Sequence, residues 1–170
     1  MPDSFLISLF EHKAWCNRRL VEALRAAPAD VDRTAMGVVL FTLDHTSIVD
    51  QVFKAHLSGA AHGFGSVVGG RLPDLGMLGA TLNETDAWYV DYARRVSPGD
   101  LERALDFTFV GDGETGRMTR SDMLAHVITH GAAHRGAIGK MLEALNVPGA
   151  PEMVTTFRRQ SGAAAPKPSA

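Results

Sequence analysis

The chain has 170 residues, a length that suggests one domain able to bury a core without disulfide or metal staples. Hydrophobic residues make up 45% and charged residues 21%, as in ordinary globular proteins. The net charge of -2 and the lack of any Lys/Arg block exclude the basic footprint of a nucleic-acid binder.

A single cysteine, Cys16, rules out an internal disulfide, so the fold does not depend on an oxidising compartment. The amino-terminal run MPDSFLISLFEHK carries Asp3 and Glu11 and lacks the positive start of a secretory signal. No apolar run approaches the roughly 18 residues needed to span a bilayer. The expectation is a cytoplasmic protein with no membrane role.

The first helix is expected from Asp3-Ser4 to the residues before Pro28, with Phe5, Leu6, Leu9, Phe10, Trp15, Leu20 and Leu24 near helical spacing. The second is expected over about 37–58, with Leu40, Leu43, Val52, Phe53 and Leu57 as its buried stripe. Residues 59–80 are rich in glycine and have no helical period, which reads as a long loop. Thr81 with Glu84 fits a capping box and predicts that the third helix starts there. Pro98-Gly99 would stop it. Leu105, Phe107 and Phe109 alternate with polar residues before Gly111-Asp112-Gly113, which predicts a hairpin over 105–119. Thr119 and Asp122 fit a cap for the fourth helix, which should end before Asn146 and Pro148. The expected architecture is an all-α four-helix bundle over residues 1–148, with a small β-hairpin between helices three and four. Residues 149–170 form a tail that is expected to be partly or wholly loose.

The fourth helix contains HVITHGAAHRG, which places His126, His130 and His134 four residues apart. With 7 histidines in the chain, chance gives about 0.3 pairs at that spacing, and here two such pairs overlap. Residues at i and i+4 lie about 6 Å apart along one helix face, so two imidazoles can converge on one metal. Residues at i and i+8 are about 12 Å apart along the axis, too far to share an ion. Either 126/130 or 130/134 is therefore the pair. A third ligand must come from another element, where His12, His45, His56 and His62 are available. His45 sits in an apolar stretch of the second helix, where an unpartnered imidazole would be costly.

Together WCNRRLVEAL, LDHTSIVDQVFKAHL and HVITHGAAHRGAIGKML resemble the DinB/YfiT-like metalloproteins over about residues 5–146. The resemblance implies a four-helix bundle that holds one divalent metal (Zn, Ni or Fe). Its ligands would be a histidine of helix two and an H-x-x-x-H pair of helix four. The His-Arg-Gly that follows the family's last ligand is His134-Arg135-Gly136 here, which implies His45, His130 and His134 as the ligands. His126 then matches a histidine one turn earlier that is not usually a ligand, and is expected beside the metal or lining a pocket. Some members resemble thiol-dependent isomerases and S-transferases, so the resemblance also implies a low-molecular-weight thiol as a partner, and a homodimer.

Blander readings compete with each of these. His130 and His134 could be solvent-facing, and His45 a hydrogen-bonded core residue. Cys16 reads as packing rather than as a nucleophile, because nothing guarantees it the electropositive, partly exposed setting a reactive thiol needs. Asp44 and Asp50 flank His45 and are either near the metal or solvated. Three neutral imidazoles leave a coordination position open, which favours a metal-dependent enzyme: a thiol S-transferase, or a hydrolase using metal-bound water. The alternative is a metal-binding or stress-response module without turnover. No catalytic acid or base stands out.

Overall fold

The computed structural model describes residues 4–162. Asp3, at the expected start of the first helix, and the looseness expected of 163–170 lie outside the described residues. Four long helices dominate: α1 (Ser4–Arg25), α2 (Arg33–Ser58), α3 (Leu75–Arg95) and α5 (Arg120–Ala144). A single turn, α4 (Pro98–Leu101), and the strands β1 (Ala104–Thr108) and β2 (Thr115–Thr119) lie between α3 and α5. A short α6 (Val154–Gln160) follows the bundle.

In the bundle α1 packs on α3 and α5, and α2 packs on α5 and α3. Consecutive helices α1 and α2 therefore face each other across the bundle axis. The core has two main parts. One gathers Phe10, Val49, Phe53, Tyr89, Met123 and Val127. The other gathers Leu20, Leu24, Leu43, Leu82, Ile138 and Leu142.

The helix ends follow the chemistry of their caps. Asp32 accepts from the backbone N–H groups of Thr34 and Ala35, so α2 starts at Arg33, a turn earlier than its apolar stripe suggests. Gly59 closes α2 in the left-handed conformation, φ 68°. The Thr119/Asp122 capping box forms as expected and starts α5.

The third helix corrects the sequence expectation. It begins at Leu75 with Asp74 as its cap, not at Thr81. Thr81 lies inside the helix, and its hydroxyl donates to the Met77 carbonyl one turn back. The glycines that read as breakers include Gly79, which is a packing site. A Cβ there would stand 3.0 Å from Val21 Cγ1 of α1. The missing side chain lets α1 and α3 approach, and tertiary packing outweighs propensity. The long loop is accordingly shorter than expected, residues 59–74.

The hairpin pairs β1 and β2 antiparallel, with Phe107 opposite Gly116. Gly111 and Gly113 take positive φ in its turn, 114° and 75°. Part of the segment after residue 149 is ordered: α6 seats Phe157 against Trp15, ring centroids 5.7 Å apart, and Glu152 pairs with Arg135 of α5 at 2.7 Å.

Candidate metal centre

His45 on α2 and His130 and His134 on α5 converge in one cluster. One ligand atom from each lies within 4.8 Å of the others. The meeting follows from how the two helices run. His45 meets His130, while Phe53, two turns further along α2, meets His126, one turn earlier on α5. The helices are therefore antiparallel neighbours, and their facing stripes set both contacts.

His45 Nδ1 lies 2.8 Å from the backbone carbonyl of Val67 in the 59–74 loop. A carbonyl only accepts, so Nδ1 carries the proton and the Nε2 lone pair is free. That lone pair points at His130 Nε2, 3.1 Å away. Two nitrogens held at about 2.0–2.1 Å from one ion lie about 2.9 Å apart at a right angle and about 3.3 Å apart at the tetrahedral angle. The observed separation falls between them.

Burial, and then the neighbouring His134 and His45, push the His130 imidazolium down to about 4. Burial and then His45 also lower His134. Both rings are thus biased to the neutral form in which an imidazole ligates. Donor type, tautomer, spacing and protonation together fit a divalent cation. His130 departs from the usual pattern in one respect. Its Nδ1 is buried with no hydrogen-bond partner among the described residues, whereas a ligating histidine normally donates from its second nitrogen. Its ring is held by packing instead, between His126 at 5.2 Å and His134 at 4.4 Å.

His126 is outside the cluster. Its ring stacks on His130 and packs tilted against Phe53, at centroid distances of 5.2 and 4.8 Å. His56, further along α2, meets His62 of the 59–74 loop edge to face at 5.2 Å. His12 lies elsewhere, where its Nε2 reaches the Glu152 carbonyl at 2.9 Å and Cys16 Sγ at 3.3 Å. Cys16 is fully buried, and burial followed by the Glu152 carboxylate pushes its thiol up to about 12, which fits packing and not nucleophilic chemistry.

Sequence reasoning missed the polar network beneath the cluster. Lys13 of α1 pairs with Asp50 of α2 and Asp86 of α3, both at 2.6 Å, and all three are buried. Asn17 donates to Asp86 and accepts from Arg135 of α5. The network joins all four long helices at the bundle axis. Its nearness to the histidines shows at Gly131, where a Cβ would lie 3.6 Å from Lys13 Cε. Asp50 is therefore neither solvated nor a neighbour of the cluster by direct contact; it is the acceptor of a buried ammonium. Asp44 is partly buried, and its carboxylate reaches Gly69, where a Cβ would collide with it.

No helix among the described residues is long and apolar enough to cross a membrane. Searches for similar curated proteins and for similar solved structures returned no match. A family model described as the DinB superfamily matches residues 6–138, from early α1 to late α5, and so spans all three histidines. The chain belongs to the DinB superfamily.

Proposed function

We propose that His45, His130 and His134 hold one divalent metal (Zn, Ni or Fe) and that the protein is a metal-dependent enzyme acting on small molecules. The observation that carries this reading is the size of the donor set. Three histidines converge, and among the described residues no Cys, Asp, Glu or fourth His joins them. A closed structural zinc site has four protein ligands, whereas three leave room for a reactant.

A metal bound there would supply Lewis acidity, lowering the pKa of a bound thiol or water or polarising a carbonyl. The chain's residues do the rest. The Val67 carbonyl fixes the His45 tautomer. Stacked His126 holds the His130 ring in place.

The reaction we favour is transfer of a low-molecular-weight thiol. The thiol proton passes to solvent, sulfur forms a bond to an electrophilic carbon, and the leaving group departs with the bonding electron pair. Hydrolysis by water at the same centre is the second enzymatic outcome. The proposal includes a homodimeric, cytoplasmic protein, in line with the family resemblance.

The test has two steps. Protein purified without a histidine tag is assayed by elemental analysis, where about one ion per chain is expected. A panel of low-molecular-weight thiols is then presented with 1-chloro-2,4-dinitrobenzene, and conjugation is followed by absorbance. Acceleration that a chelator abolishes and the metal restores supports the reading. A protein that holds one ion yet accelerates neither conjugation nor ester hydrolysis is a metal-binding module without turnover, and the enzymatic reading fails.

A further inference from the structure

The geometry points to a dedicated apolar pocket beside the three histidines that receives an aromatic group of the substrate. The groove between α2 and α5 does not end at the cluster. One to two turns further along, it opens into a cavity of about 260 Å3 walled by Phe53, Val52, Phe107 and Phe109, with His56 and His126 at its edges. A dry cavity of about 150 Å3 is enough for benzene, so this volume suits one substituted ring or two fused rings.

Two residues tie the pocket to the cluster. His126 lines the pocket on one side and stacks on His130 on the other. Val67 also lines it, and its carbonyl holds His45. A molecule whose reactive end lies at the histidines therefore has the pocket within reach of its next few atoms.

The pocket wall is built, and it is not a chance gap. Phe107 and Phe109 meet edge to face at 4.9 Å, and Phe107 packs on Phe53 and His56. Both hairpin rings lie over Gly116 on β2. A Cβ there would stand 2.6 Å from Phe107 and 2.8 Å from Phe109. Phe109 remains 46% exposed. That ring loses its exposure when an apolar group seats against it, beside the buried Phe53 and Phe107.

This inference rests on the metal reading above, and the experiment separates the two. Imidazole and 4-phenylimidazole are titrated into the zinc-loaded protein by calorimetry. The imidazole nitrogen occupies the open coordination position in both, and the phenyl group alone probes the pocket. We expect 4-phenylimidazole to bind about 10- to 100-fold tighter, from the apolar area of one ring. Phe109→Ala should cut that gain to a few-fold and Val110→Trp, which plugs the pocket, should erase it, with imidazole affinity unchanged in both. Equal affinity for the two ligands, or a gain that survives both variants, overturns the pocket. If neither ligand binds, the open metal position fails, and the pocket is read separately with toluene on metal-free protein. Shifts of the Val52 and Val67 methyl resonances that vanish in Val110→Trp then support it, and no shift overturns it.

Discussion

Lys13→Met removes the one cation that Asp50 and Asp86 share and leaves a side chain of similar length. In the native protein Lys13 is 1% exposed, Asp50 0% and Asp86 3%. Burial opposes the charge on Lys13, but the attraction of Asp50 and then of Asp86 outweighs it and holds the ammonium above its usual value. Asp50 shows how hard the site is to ionise. Burial pushes its carboxyl up to about 6 even with Lys13 attached. Without the ammonium, two buried carboxylates keep only the more distant Arg135 as a counter-charge, a loss of about 3–5 kcal/mol at pH 8. The sign of the pH dependence is opposite to that of an ordinary paired carboxylate. The unfolded chain releases the Asp50 proton near 3.8 and the folded chain releases it near 6, so native stability falls as pH rises through that window. In the variant the window extends upward. Between pH 8 and pH 5 the variant gains at most about 4 kcal/mol, one proton over three units, while the wild type gains about 1.4 kcal/mol over the last unit. Urea unfolding of metal-stripped protein at the two pH values should therefore show the difference from wild type shrinking at pH 5, by up to about 3 kcal/mol. A loss below about 1 kcal/mol, or one equal at both pH values, would refute the account of the network as a buried, charged unit.

His130→Ala should abolish metal retention through gel filtration, while His126→Ala should leave metal content near wild type; elemental analysis in which His126→Ala strips the metal and His134→Ala does not would mean that the other pair on α5 is used. Cys16 should resist a disulfide reagent in the native state and react fully on unfolding, because its thiol is buried and pushed up to about 12. Thiol release within minutes from folded protein would contradict that. Gly79→Leu should cost about 1–3 kcal/mol in urea unfolding, since its Cβ already meets Val21 of α1 at 3.0 Å. A loss under about 0.5 kcal/mol would show that α1 and α3 can move apart freely.

The legible parts of the fold were those written in local chemistry. The i, i+4 spacing of His130 and His134 is set by one helix, and the Thr119/Asp122 box by four residues. The hairpin announced itself through Phe107 and Phe109 followed by Gly111-Asp112-Gly113. His45 was different, because choosing it over His56 or His62 requires knowing the depth at which α2 crosses α5. Spacing left that open, and the family resemblance supplied it. The start of α3 was misread because Gly76 and Gly79 look like breakers when their neighbours across the bundle are unknown.

What remained hidden was long-range and polar. The acceptor for His45 is a loop carbonyl, and a backbone atom leaves no mark in the sequence. Lys13, Asp50 and Asp86 each sit on a helix among other charged residues, where a lone Lys or Asp reads as solvated. They become a unit only when α1 and α2 face each other across the axis. That arrangement has a consequence for the histidines. The Lys13 chain passes beside Gly131, the residue after His130, where a larger side chain would meet both Lys13 and Thr46. The side chain whose ammonium pairs with α2 and α3 therefore lies against the α5 turn that carries His130 and His134. Rotating α2 about its own axis would strain the pairing of Asp50 with Lys13, and rotating α5 that of Arg135 with Asn17. Buried polar partners have a defined geometry where a hydrophobic stripe tolerates sliding, and this supports the network as the element that sets how α2 meets α5.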